Sequence, residues 1–201
     1  MARIARIVAP GYPHLITQIS NIGKNVFPDD ESRQMYLNLL HEFSAEHKLD
    51  IYAYALLEDS VHIVAVPKSA ESLAMSMRRT HSTYGRELSP KKGKGSSIWI
   101  SRYQSCPVSK PWMWPAIKYT ERAPLEQKLT TRMDTYKWSS APAHTKSKKD
   151  PLLAKVGTPK DHQNWLNWLK EPLEDWEYDL LVAHCKRGYP LGDEQFVDKV
   201  M

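Results

Sequence analysis

Apolar positions along the first half of the chain switch between two periods. Residues 12–19 (YPHLITQI) are few, rich in β-branched side chains and partly alternating, which predicts a strand. Asp29 and Asp30 then precede ESRQMYLNLLHEFSAEHK, where Tyr36, Leu40, Phe43 and His47 recur at three- and four-residue spacing. An acidic cap followed by such a stripe predicts an amphipathic helix. Residues 49–57 and 61–66 are apolar runs parted by Glu58-Asp59-Ser60, the pattern of an antiparallel hairpin. Ser69 caps a second helical stretch with Leu73, Met77, Tyr84 and Leu88 near one stripe and Arg78, Arg79 and Arg86 off it. A cationic loop (Lys91, Lys92, Gly93, Lys94, Gly95) leads into a predicted fourth strand over 98–103. The order β-α-β-β-α-β predicts an α+β, ferredoxin-like fold: a four-stranded antiparallel sheet with both helices on one face, the other face being left for function.

Beyond that unit, a further helix is expected over 112–122, then the aromatic segment Tyr136-Lys137-Trp138-Ser139-Ser140 and a polar connection over 144–150. The tail NWLNWLKEPLEDWEYDLLVAHCKRG predicts two helices broken near Pro172. Trp165, Trp168 and Leu169 form one apolar stripe, and Leu173, Trp176, Leu180 and Leu181 the next. This divides the chain into a domain over 1–145 and a helical extension over 146–201.

Composition narrows the function classes. With 41% hydrophobic and 25% charged residues in 201, the chain is neither disordered throughout nor of low complexity. No run approaches the roughly 18 apolar residues of a membrane span, and residues 1–10 are too short and too interrupted by Arg3 and Arg6 for a signal peptide. A cytoplasmic protein without a membrane partner is expected. Cys106 and Cys185 form no CxxC pair, so neither a thiolate zinc site nor a disulfide framework is supported. Charge is uneven: residues 68–149 carry 17 basic and 5 acidic side chains, and residues 171–201 carry 3 and 8. The basic block reads either as a polyanion-binding face or as a solvated surface balanced by the acidic tail. Arg78, Arg79, Arg86, Lys91, Lys92, Lys94 and Arg102 are its candidate phosphate contacts.

Several segments together carry a family resemblance over nearly the whole chain. They are ARIVAPGYPHLITQ, VFPDDESRQMYLNLL, YALLEDSVHIVAVP, the pair Trp99 and Arg102 in IWISRY, then KYTERAPLE, YKWSS and GYPLGDEQFV. In this order they resemble the REP-associated tyrosine transposases, of the single-tyrosine HUH transposase superfamily. The resemblance implies a ferredoxin-like domain with an added tyrosine-bearing helix. It also implies DNA transposition by cutting and rejoining single-stranded hairpin DNA, with a divalent metal (magnesium or manganese) and a phosphotyrosine intermediate. Such chemistry needs a metal to polarise the scissile phosphate. Two histidines at i and i+2 of a strand share a face and can hold it, and a third ligand one helical turn after the tyrosine shares that residue's face.

Carried over by residue, the nucleophile position falls on Tyr119. The paired histidines fall on Ser60 and His62, so one is missing. The third ligand falls on Ala123, which has no donor atom, and the family's Arg-Gly-Asn after the first strand is replaced by Ile19-Ser20-Asn21. Glu58, Asp59, Glu121 and His14 are the side chains that would have to compensate at the metal. The resemblance thus implies a DNA-binding protein with cutting weakened or lost. Two other readings stay open: an active transposase with a rebuilt metal site, and a ferredoxin-like interaction module whose basic block meets an acidic protein or the acidic tail of a second copy in a homodimer.

Overall fold

The computed structural model describes residues 6–21, 26–92, 97–146, 148–157 and 164–201. Its first strand, β1 (His14–Ile19), is followed by α1 (Asp30–Glu46), the hairpin β2 (Leu49–Leu56) and β3 (Ser60–Pro67), then α2 (Ala70–Lys92) and β4 (Gln104–Pro107). The strands form one antiparallel sheet in the order β2-β3-β1-β4, as the ferredoxin-like reading expects. Asp29 caps α1 by accepting from the Ser32 amide at 2.8 Å, and Ser32 answers by accepting from the Asp29 amide at 3.3 Å. Tyr36, Leu40 and Phe43 are buried along that helix, while His47 lies just beyond it as the C-cap.

Alternation along the two central strands divides the core. Ile16, Ile63 and Ala65 face α1 and α2, where Tyr36, Leu40, Leu73, Met77, Tyr84 and Leu88 complete one cluster. Leu15 and Val64 face the other way, into a second cluster built by the rest of the chain. That second layer consists of α3 (Met113–Glu126), a 3-10 turn (Met133–Thr135), α4 (Ala141–Lys146), α5 (Trp165–Lys170), α6 (Asp175–Arg187) and α7 (Glu194–Val200). The face left free in the sequence reading is therefore largely covered. Trp165, Trp168, Leu169, Leu181 and Cys185 reach the second cluster from the tail, and Leu153 and Leu191 bridge to Ile51 and Val108 beside the sheet.

Three expectations need correction. The fourth strand is not 98–103 but Gln104–Pro107. Within 97–103 the chain meets the residues just past β1 in an isolated antiparallel bridge, Trp99 to Ser20, and not in a ladder; Trp99 enters the first core, its indole N–H donating to the His81 carbonyl at 3.1 Å, so that the buried ring keeps a partner for its polar end. The third helix runs to Glu126, past Pro124. A proline there forfeits one helical hydrogen bond, but it falls in the last turn, and burial of Ala123 and Pro124 offsets the loss. On α6 the buried residues are Leu181 and Cys185, whereas Trp176 is 59% exposed and Leu180 36%. Trp176 instead packs edge-on against Trp112, ring centroids 5.8 Å apart.

Candidate active site and nucleic-acid groove

Because side chains alternate along a strand, Ser60 and His62 share the face of β3 that looks toward α3. Tyr119 and Ala123, one turn apart on α3, are set over them. These four residues line one cavity of about 380 Å3, together with Thr17 and Ile19 of β1, Asp59 and Gln104, and Tyr178, Val182 and Cys185 of α6. The rings of His62 and Tyr119 are stacked in parallel, 5.1 Å between centroids and 2° between planes. Tyr119 also meets Tyr178, ring centroids 5.4 Å apart and tilted by 51°.

The electrostatics of the pair follow from burial. Desolvation pushes the His62 imidazole down to about 4, with the Asp59 carboxylate only partly opposing it. His62 is thus neutral near pH 7, and its Nδ1 is buried without a hydrogen-bond partner. Burial, reinforced by Tyr178 and Cys185, raises the Tyr119 phenol well above its ordinary value. A phenol held protonated beside an imidazole of such low basicity is poorly prepared to attack a phosphodiester.

The side chains proposed to compensate are placed as follows. Asp59 lines the cavity, where its carboxylate accepts from the Ser60 hydroxyl at 2.9 Å. Glu58 is half-buried and is not among the lining residues. Glu121 is fully buried on another side of α3: Ser140 and His144 donate to its Oε1 and the Trp165 indole to its Oε2, the last two at 2.6 and 2.8 Å. His14 lies on the opposite face of the sheet, with Nδ1 bonded to the Tyr12 carbonyl at 2.9 Å and Nε2 accepting from the Ala9 amide at 3.1 Å. Glu121 and His14 are hence corrected: both are committed elsewhere and cannot rebuild a metal site beside His62. Glu126 of the cavity is held by Arg122, whose Nη2 lies 2.6 Å from it.

Among the described residues no three His, Cys, Asp or Glu side chains converge. One imidazole and one carboxylate already engaged by a serine do not make the ligand set that magnesium or manganese requires, since either cation takes about six donors. The residues present do not fit the divalent metal that the sequence resemblance implies.

The basic residues separate into two groups. Arg78, Arg86 and Arg102 line a groove of about 950 Å3 between α2 and the 97–103 turn, together with Arg6, Gln18, Ile100 and Tyr103. Among the described residues no carboxylate lines it. Arg6, missed in the sequence reading because it lies outside the basic block of 68–149, lies over the Tyr103 ring at 3.8 Å and donates to that residue's carbonyl. Arg79 is corrected: it faces α1, bonded to Glu46 and lying 4.4 Å from the Phe43 ring centre. It stitches the two helices together and is not a groove cation. Of Lys91 and Lys92 only the backbone, in the last turn of α2, is described, and Lys94 lies outside the described residues.

No family model and no curated protein matches the sequence. Among solved structures, the chain is similar to a REP-associated tyrosine transposase bound to a REP hairpin, at 12% identity and a TM-score of 0.63, over 79% of this chain and 94% of that one. A protein of Deinococcus radiodurans assigned as a transposase is aligned at 21% identity over 64% of this chain and 95% of its own, with a TM-score of 0.37. The described strands and helices, with a tyrosine-bearing helix laid across the sheet, thus have the fold of a REP-associated tyrosine transposase.

Proposed function

We propose that this protein binds single-stranded or hairpin DNA as a transposase relative and has lost the ability to cut it. The observation that carries the reading is the Tyr119–His62 stack: a tyrosine and a histidine meet in one cavity, while the remaining ligand positions are a serine and an alanine. Loss of two donors removes the Lewis acid without which a phosphodiester resists attack by a protonated phenol. Arg6, Arg78, Arg86 and Arg102 supply the phosphate-neutralising charge that binding alone requires.

The purified protein is to be incubated with labelled hairpin DNA and magnesium or manganese. A shifted complex on a native gel, with no covalent adduct on a denaturing one, is the expected result. An adduct that vanishes in Tyr119→Phe would show an active enzyme instead. Absence of any complex would refute DNA binding. As a further check, Ser60→His combined with Ala123→Asn is expected to raise affinity for manganese, measured by calorimetry.

A further inference from the structure

Cys106 and Cys185 stand far apart in the chain, and nothing in their spacing pairs them, yet the fold brings them together between β4 and α6. Cys106 pairs with Leu15 across the β1–β4 ladder, and both side chains point into the second cluster. The Cys185 sulfur lies 3.6 Å from the Leu15 carbonyl and 3.8 Å from the Thr17 hydroxyl, so it sits over that same part of the sheet. Three residues on, the end of α6 runs so near β4 that a Cβ on Gly188 would lie 3.6 Å from the Ser105 carbonyl. The two side chains hydrogen-bond to each other, and both are free thiols.

Their surroundings differ. Cys185 lines the Tyr119 cavity and also a smaller depression of about 250 Å3 at the β4 edge, so two openings lead to it. Cys106 lines neither and is fully buried. Hydrogen bonding from the Cys106 thiol, with that from Thr17, holds the Cys185 thiol below its ordinary value, while the same pairing together with burial raises Cys106. Cys185 therefore has the greater thiolate character, and the thiolate is the form that oxidants meet first.

We propose that Cys106 and Cys185 form a dithiol that hydrogen peroxide oxidises, and that the resulting disulfide fastens α6 to β4. Cys185 takes one oxygen atom from the peroxide, becoming a sulfenic acid, and the first water is released. The Cys106 sulfur then attacks the sulfenic sulfur: the S–S bond forms, the S–O bond breaks, and the hydroxyl leaves with the Cys106 proton as a second water. The two thiols lose two electrons in all, and the peroxide gains them. A reversible bridge of this kind is the form of disulfide that a reducing compartment permits. Because α6 also carries Tyr178 and Val182 to the cavity, the bridge fixes the wall beside Tyr119. Nothing in this inference depends on DNA binding, so either can fail while the other stands.

The test treats the full, folded chain with hydrogen peroxide in modest excess. Mass spectrometry is expected to show the loss of two hydrogens and one peptide pair joining Cys106 to Cys185, both reversed by dithiothreitol, while a non-reducing gel keeps a single-chain band. The bridged chain should melt about 10 °C above the reduced one, as closing a long loop requires. Cys106→Ala should halt oxidation at Cys185, where dimedone captures the sulfenic acid; in Cys185→Ala, Cys106 should react roughly tenfold more slowly than Cys185 does. Should either variant unfold, the wild-type mass, peptide and melting readouts decide alone. Two thiols left free, bridges between chains, or oxidation to sulfonic acid with no bridge would each overturn the proposal. A bridge that leaves the melting temperature unchanged would overturn the fastening of α6.

Discussion

His14, His62 and His81 are buried histidines whose imidazoles are pushed down by desolvation, to about 4, 4 and 3 respectively. Each is neutral in the folded chain through most of the acidic range, while an unfolded histidine protonates near 6.5. Because the folded state then binds fewer protons, the stability these groups contribute is complete above pH 6.5 and is lost as pH falls toward 4. The loss should run at about 1.4 kcal/mol per pH unit for each histidine. Urea denaturation at pH 7 and pH 5 is expected to show this fall, and His62→Gln should remove about one third of the slope. His62 is the best single target: His81 bonds to the Tyr36 hydroxyl at 2.9 Å and His14 to two backbone groups, whereas His62 has a buried nitrogen with no partner. A retained slope in that variant would mean that His62 is hydrated in solution.

Among the elements, α3 ties the second layer together through Glu121. Its carboxyl receives a hydroxyl from Ser140 ahead of α4, an imidazole from His144 within α4 and an indole from Trp165 at the start of α5. Glu121→Ala would leave the His144 imidazole and the Trp165 indole without their acceptor, each costing about 1–3 kcal/mol, and the Ser140 hydroxyl with only the longer 3.4 Å contact to the Tyr54 carbonyl. A loss of roughly 3–5 kcal/mol, measured by chemical denaturation, is expected. A loss under about 1 kcal/mol would show that water replaces the carboxyl readily. Glu121→Gln should be milder, since one amide oxygen preserves part of the acceptor. The same helix sets the candidate site: Tyr119 and Ala123 are a turn apart, and Glu121 between them points elsewhere because a helix turns about 100° per residue. One element thereby serves both packing and the cavity.

Over the whole molecule, the tail and the sheet share one core. Trp165, Trp168, Leu169 and Leu181 from the tail cover Leu15, Val64, Ala116 and Ile117. At about 2 kcal/mol for each buried side chain, those four contribute roughly 8 kcal/mol, which is comparable with the total stability of a typical domain. A chain ended after residue 146 is expected to lose cooperative melting; an intact transition in that fragment would show that the first layer suffices. Charge separates in the same way. Binding of single-stranded DNA is expected to weaken with salt at a log–log slope of about −0.7 per phosphate contact. Arg78→Ala should reduce that slope and Arg79→Ala should not, because Arg79 is engaged by Glu46 and Phe43. A reduction of similar size in both would place α2's cations differently from the groove described.

Periodicity alone determined the order of the first elements and the β2–β3 hairpin, because strand and helix each impose a short-range spacing on apolar residues, but it misplaced the fourth strand, which lies at Gln104–Pro107 and not at 98–103. Once the family resemblance singles out Ser60, His62, Tyr119 and Ala123, spacings of two and four place the first two on one face and the last two on another. Only the tertiary structure decided that these two faces meet in one cavity, that Glu121 and His14 are spent elsewhere, and that α6 lines the site with Tyr178 and Cys185. It also decided which arginines share the groove: Arg78 and Arg79 are adjacent in sequence, yet a rotation of about 100° per residue sends one to the groove and the other to Glu46. Such facts depend on which elements pack together across the molecule, and local sequence spacing carries no record of the distances between them.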